Sequence, residues 1–216
     1  MEQIQTVLLN ITLDAIFGCP RPFDSAYLRD QSAKLLNGLA QFGVTASDIS
    51  LKRNDELYDY ELSIRMFRGV GNFKLTSDKA TTVLKDARTA SDFATVRDCL
   101  IIISSLLDLT PGMVTSIIIE LHANLQSQSR AEFFSKLLNK VDEQILEGAV
   151  LYRSSTGFQG DIRLALERSN IIIGQNSISI FWNGAIMGSP TADTANAVYA
   201  NMEAGLRSFQ LEFKKD

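Results

Sequence analysis

The sequence has little material for metal or thiol chemistry. Its 216 residues include one histidine, His122, and two cysteines, Cys19 and Cys99. Zinc sites and thiol–imidazole relays are built largely from these two residue types. We therefore expect no metal ion and no cofactor. The cysteines lie far apart and in no CxxC pattern, which favours two buried, reduced thiols; a disulfide between them is the alternative.

An excess of basic residues is also absent, as are long apolar runs. Lys and Arg total 21 against 25 Asp and Glu, a formal net charge of −4, so we expect no general nucleic-acid binding. The most apolar stretches, 100–103 and 171–173, are far shorter than the ~20 residues of a membrane-spanning helix. Residues 1–6 lack the basic start of a signal peptide. We expect a soluble cytoplasmic protein with no membrane partner.

Short segments of the first half return in the second half in the same order. The matching pairs are 33–37 with 135–139, 51–53 with 151–153, 62–66 with 162–166, and 72–75 with 170–173. Shared order and similar spacing predict an internal duplication. The predicted units are residues 1–110 and 111–216, which form one cooperative body. The alternative is two similar units that reuse common strand and helix patterns.

Hydrophobic periodicity predicts an α+β fold in which a β-α-β-β-β-β-α unit occurs twice, with helices packed on antiparallel meander sheets. In the first unit Asp24 and Gly43 are typical of a helix start and a helix end. The predicted elements are a strand at 4–17, a helix at 24–42, strands at 48–53, 58–68, 71–76 and 81–87, and a helix at 91–109 capped by Ser91 or Asp92. The second unit repeats this order with a strand at 113–125, a helix at 129–142, strands within 148–185 and a helix at 191–209.

The two closing helices of these units differ in pattern. The helix at 91–109 is apolar nearly all round, which predicts a buried helix between the halves, with Ile103 and Leu107 in the core. The helix at 191–209 has a single apolar face. It therefore lies on the surface or against a partner, and we expect Tyr199 and Arg207, at the margins of that face, to contact it.

Two strands carry polar stripes. Glu120, His122 and Asn124 share one face of the strand at 113–125, because alternate residues of a strand point the same way. A carboxylate beside an imidazole is the start of a general-base arrangement, although no nucleophile lies nearby in sequence. The alternative is a solvated polar face, on which His122→Ala changes stability by less than about 1 kcal/mol. Asn10, Thr12 and Asp14 form the corresponding stripe of the first strand, and the two stripes line a shared groove if the strands meet.

The order of strand, helix and antiparallel meander in each half resembles the hot-dog unit, and double hot-dog proteins hold acyl thioesters. The additional helix after each meander departs from that pattern. No nucleophile elbow, metal cluster or phosphate loop is present, so the sequence favours a non-enzymatic interaction or assembly scaffold that binds another protein or itself. The alternative is a binder or a thioesterase-like or hydrolase-like enzyme, acting on a small apolar ligand held between sheet and helix.

Overall fold

The structure, a computed structural model, describes residues 1–19, 23–54, 59–87, 90–106, 114–138 and 148–214. This part of the chain forms an α+β fold with one ten-stranded sheet and four α-helices. The first-half elements are β1 (Glu2–Ile16), α1 (Ser25–Leu39), β2 (Ile49–Asn54), β3 (Asp59–Met66), β4 (Gly71–Leu75), β5 (Lys79–Leu84) and α2 (Ala90–Leu106). The second-half elements are β6 (Val114–Leu125), α3 (Arg130–Leu138), β7 (Gly148–Ser154), β8 (Asp161–Arg168), β9 (Ser177–Met187), α4 (Ala192–Ser208) and β10 (Leu211–Phe213).

The strands lie in the order β2-β3-β4-β5-β1-β6-β9-β8-β7, and neighbours in this series are antiparallel. The long central strands β1 and β6 join the two halves. The short strand β10, which the sequence did not predict, pairs parallel with the beginning of β1. Residues 148–187 contain three strands where the predicted repeat requires four, because residues 169–176 form a loop. The predicted strand count of the second unit is therefore wrong.

Local signals fix the helix ends that the sequence predicts best. The side chain of Asp24 accepts a hydrogen bond from the Tyr27 backbone N–H at 2.7 Å, which satisfies one of the free donors at the start of α1. A short 3₁₀ turn extends α1 to Gly43, whose φ of 76° is the left-handed conformation that ends helices. By contrast, α2 begins at Ala90, so the predicted cap Asp92 lies within its first turn.

The helices and the sheet enclose one hydrophobic core. Alternate strand residues such as Ile11, Ile119 and Leu164 point into it and are buried, and residues of all four helices belong to the same cluster. The intervening residues on the other side of the sheet are mostly half-buried or exposed. We call this second side the open face, because no helix of the described part of the chain covers it.

Helix α2 packs against α1, α4, β1 and β5, so it contacts both halves. Its side chains Phe93 and Ile103 are fully buried. Gly38 of α1 allows this close approach, since a Cβ at that position would lie 2.9 Å from a methyl of Leu106. The prediction of burial all round is wrong at Ile101, which is 37% exposed and faces away from the core. Leu107 lies outside the described residues.

The apolar face of α4 packs inside the molecule. Val198, Met202 and Leu206 are buried in the common core, and a Cβ at Gly205 would meet Leu164 of β8. This face therefore supports the chain's own sheet.

Candidate functional site

The two polar stripes predicted from the sequence lie side by side at the centre of the open face. Strands β1 and β6 are neighbours, with Asn10 opposite Glu120 and Thr12 opposite Ile118. The Asn10 side-chain amide donates a hydrogen bond to Glu120 Oε2 at 3.2 Å. The structure thus brings the stripes together; their role in binding stays a prediction.

The outer members of the stripes have different neighbours. Asp14 accepts a hydrogen bond from the Thr81 hydroxyl at 2.5 Å and lies 3.6 Å from the Lys79 ammonium. Asn124 lies between Gln5 and Ser177 by register. Polar groups at the centre of the open face therefore bond to one another and hold the middle of this surface in a fixed arrangement.

His122 is fully buried although it lies on the open face. The loop at 169–176 covers it, and His122 Nδ1 lies 2.9 Å from Ser169 Oγ. That hydroxyl oxygen also accepts hydrogen bonds from the backbone N–H groups of Ile171 and Ile172, at 3.3 and 2.9 Å. The expectation of a solvated histidine is therefore wrong, because tertiary structure supplies a cover that the strand pattern does not contain.

The hydrogen bonds define the histidine tautomer. Two backbone donors occupy the lone pairs of Ser169 Oγ, so the hydroxyl proton points to His122 Nδ1, which acts as the acceptor. The ring proton then resides on Nε2, which lies 3.2 Å from Glu120 Oε1 but is not directed for a hydrogen bond.

The Ser169 hydroxyl, the His122 imidazole and the Glu120 carboxylate thus follow one another in space, in the order of a nucleophilic relay. Ser169 is the nucleophile type that the sequence reasoning did not find, since it is 47 residues from His122 and in no motif. Its exposure is only 4%, and its oxygen is already engaged by two donors. The arrangement is therefore built to hold the loop.

The rest of this loop is held as firmly. The guanidinium of Arg130 donates to the backbone oxygens of Gly174 and Ser177 at 3.1 and 3.2 Å. The Ser177 hydroxyl contacts the backbone oxygen of Ile172 at 2.9 Å. The loop nevertheless presents apolar side chains to solvent: Ile171 is 52% exposed and Ile173 fully exposed. A surface depression of about 310 Å³ lies within it.

Aromatic and apolar side chains occupy the second half of the open face. The Arg163 guanidinium lies 5.3 Å from the ring centre of Phe181, a cation–π contact. On the edge strand β7, Val150 and Tyr152 are 48% and 62% exposed. The sequence reasoning gave none of these residues a site role, because their common surface depends on the order of strands in the sheet.

The two contact residues predicted on α4 are not equivalent. Arg207 is exposed and lies 3.5 Å from Glu203. Tyr199 is half-buried, its ring packs edge-on against Phe93, and its buried hydroxyl has no hydrogen-bond partner among the described residues. Burial, and to a lesser degree the Asp92 charge, raises the pKa of Tyr199. Contact of either residue with a partner stays a prediction.

Neither cysteine is in a disulfide: Cys99 is buried and Cys19 exposed, so burial of both thiols is wrong for Cys19. Within the described ranges, no cluster of three or more His, Cys, Asp or Glu side chains is suited to a metal ion. Over the same residues, no helix has the length and hydropathy needed to cross a membrane.

No protein-family model matches the chain, and no curated protein matches its sequence. Its function must therefore be argued from the geometry of the open face.

Proposed function

We propose that the protein is a non-enzymatic interaction scaffold whose open face binds a folded protein. The observation that carries this proposal is the one-sided layering, in which the buried apolar side chains of the described helices join one core on one side of a ten-stranded sheet. A broad, ordered sheet surface with exposed Tyr152 and a Phe181–Arg163 pair has the residue types enriched at protein interfaces.

Other ligand classes fit this surface less well. The open face carries both signs of charge, with Glu61 beside Lys74 at 2.7 Å and Asp14 beside Lys79, so it offers no basic track for a nucleic acid. A small apolar ligand needs a concave site that encloses it. At the centre of the open face, polar side chains are instead hydrogen-bonded to one another, as Asn10 is to Glu120 and Thr81 to Asp14.

Site-specific photocrosslinking tests this proposal. A photoreactive amino acid is placed at Tyr152 on the open face and, in a matched chain, at Arg207 on α4; both side chains are well exposed. We expect protein adducts from position 152 that unmodified competitor chain suppresses and that the substitution Ile118→Lys abolishes. The exposed α1 substitution Ala33→Lys is the control and leaves the adducts unchanged.

Adducts from position 207 alone would refute the open-face proposal and favour the α4 surface predicted from sequence. If Ile118→Lys does not fold, judged by its melting curve, Val150→Lys replaces it, because an exposed edge-strand side chain tolerates this change. Capture that is insensitive to both substitutions would also refute the proposal.

A second candidate function, the hydrolase-like enzyme, is favoured by one observation, the Ser169–His122–Glu120 series. In such a reaction Ser169 Oγ would attack an acyl carbonyl while its proton passes to His122 Nδ1 and then to the leaving group, and water would release the acyl group. A fluorophosphonate probe distinguishes the candidates. Labelling that is lost in Ser169→Ala supports the enzyme, and no labelling supports the scaffold.

We also infer that the two halves arose by duplication and that the protein is cytoplasmic. In support of the first, β1-β5-β4-β3 and β6-β9-β8-β7 run outward from the centre in the same order. In each series an α-helix follows the first and the second strand along the chain: α1 and α2 in the first half, α3 and α4 in the second. The match of 51–53 with 151–153 does not fit, because β2 is the fifth strand from the centre and β7 the fourth. Superposition of the halves without β2 tests the duplication. The free thiol of exposed Cys19 suits a reducing compartment.

A further inference from the structure

We propose that the open face binds a second copy of this chain, with the two open faces in contact about a twofold axis that runs along β1 and β6. This inference rests on the proposed function, because it names the protein that the open face binds. Three features of the open face carry it: the order of residues across the sheet, the distribution of charge, and the shape of one end.

Strand register aligns eight residues in one row across the open face: Arg65, Asn72, Val83, Thr12, Ile118, Asn183, Arg163 and Tyr152. A twofold axis between Thr12 and Ile118 sets each half of this row against the other half in the second copy. Thr12 then meets Ile118. At the ends of the row the Arg65 guanidinium meets the Tyr152 ring, a favourable cation–aromatic pair.

Charge on the open face is divided between the halves. Among side chains that the structure describes, the first half carries four basic residues and two acidic ones: Lys52, Arg65, Lys74, Lys79, Asp14 and Glu61. The second half carries three acidic residues and one basic residue: Glu120, Asp161, Glu167 and Arg163. The same twofold axis brings these opposite balances together and sets Lys74 against Asp161.

The area of the open face is sufficient for a dimer. Its nine strands hold five to fifteen residues each, which at about 3.3 Å per residue and about 4.8 Å between strands present on the order of 1,200 Å² per copy. Stable protein interfaces bury about 800 Å² per partner. Contact over about two thirds of the open face therefore reaches the area of a specific interface.

One end of the open face has a projection and a matching recess. In the second half, the loop at 169–176 projects Ile171 and Ile173 into solvent beside the end of β6. In the first half, β5 pairs with β1 only over 11–16 and β10 only over 2–4, which leaves a recess of about 440 Å³ beside Gln5, Thr6 and Val7. The twofold axis places each loop over the recess of the other copy, where its isoleucines are removed from water.

Charge exchange in the full-length chain tests this arrangement. Sedimentation equilibrium from about 1 to about 100 µM gives the dimer dissociation constant, which we expect in the micromolar range. Lys74→Glu and Asp161→Lys should each weaken the dimer about tenfold, since both pairs of the symmetric interface become repulsive. The double variant should return to within about threefold of the original value.

The control substitutions Asp30→Lys and Lys34→Glu make the same charge changes on the exposed surface of α1 and should leave the dissociation constant unchanged. Tyr152→Lys, set against Arg65, should also weaken the dimer. If Lys74→Glu or Asp161→Lys fails to fold, judged by its melting curve, Tyr152→Lys decides alone. Single effects that add in the double variant would overturn the arrangement.

A chain that stays monomeric at about 100 µM would also overturn the inference. The proposed function then still stands if photocrosslinking from position 152 captures other proteins and Ile118→Lys abolishes it. If open-face substitutions alter neither self-association nor crosslinking, both fail together.

Discussion

Replacement of His122 by alanine removes an imidazole that has no solvent exposure and lies 2.9 Å from Ser169 Oγ. Truncation of a large buried side chain costs about 2–5 kcal/mol, and a buried hydroxyl left without its acceptor adds about 1–3 kcal/mol. The covering loop can shift and admit water, which places the expected loss near the low end of that range. We expect His122→Ala to lower the free energy of unfolding by about 3 kcal/mol.

Urea unfolding followed by circular dichroism measures this loss. His122→Asn is the matched control, because an asparagine side-chain amide reaches the position of Nδ1 and keeps a partner for Ser169. It should recover about 1 kcal/mol relative to alanine. If His122→Ala lowers the free energy of unfolding by less than about 1 kcal/mol, the imidazole has no structural role, and the interpretation of His122 as part of a solvated polar face is correct.

The loop gives a second readout of the same contact. Arg168 is exposed and directly precedes Ser169, so the bond after Arg168 is a trypsin site at the edge of the held loop. Both His122→Ala and Ser169→Ala should speed cleavage there, because either change releases the loop. An unchanged cleavage rate in both variants would show that the contact does not hold the loop.

Three further predictions concern the core and the N-terminus. Burial raises the pKa of the Cys99 thiol to about 12, whereas Cys19 is exposed. A thiol reagent at mildly alkaline pH should therefore modify Cys19 in the native protein and Cys99 only after unfolding. Rapid modification of both cysteines in the native protein would contradict the burial of Cys99. Burial by itself would raise the pKa of Glu2, but hydrogen bonds from Ser127, Gln126 and Gln128 hold that pKa below its ordinary value. The Glu2 carboxylate therefore stabilises the fold at pH values above its unfolded pKa, and this stabilisation is lost as pH falls through its pKa in the folded protein. Glu2→Gln should therefore lower the free energy of unfolding by about 1–3 kcal/mol at neutral pH and by less in acid. A loss in urea unfolding that does not change with pH would contradict this prediction. Ile103 has no exposure, and Ile103→Ala should cost about 2–5 kcal/mol; a measured loss under about 1 kcal/mol would show that α2 does not seal the core.

The elements that the sequence predicted well are those whose signals are local. Asp24 caps α1 through a contact three residues away, and Gly43 ends it through its own φ. The strands of the first half follow from alternation of apolar and polar residues, since one side of each is buried in the core. Class and antiparallel pairing could therefore be predicted without tertiary information.

The errors arise where tertiary contacts override a local pattern. Residues 170–173 match the strand segment 72–75 in sequence, but the three consecutive isoleucines belong to a loop. Hydrogen bonds that Ser169 accepts and that Ser177 and Arg130 donate hold this loop in place. The strand β10 is too short to have a period, and only its pairing with β1 defines it.

In the candidate site, too, some features could be predicted from local sequence and others depend on tertiary contacts. Alternation alone predicts that Asn10 and Glu120 belong to polar stripes, and their strands do meet. The burial of His122 depends on Ser169, which lies 47 residues away, and nothing in either segment indicates the other. Contacts between distant loops are the information that a single sequence does not provide.

The composition of the open face constrains the affinity of the interface that we propose there. At its centre, Asn10 and Glu120 bond to each other and Asp14 bonds to Thr81, so these groups are already satisfied in the free chain and gain little from a partner. The exposed apolar side chains Tyr152 and Ile173 lie toward its margins. Stable obligate interfaces have the reverse layout, with an apolar centre and a polar rim. The open face is therefore suited to a reversible association with water at the interface. In such an interface the hydrogen-bonded polar groups at the centre are already paired in the free chain, and the exposed apolar side chains at the edges supply the affinity.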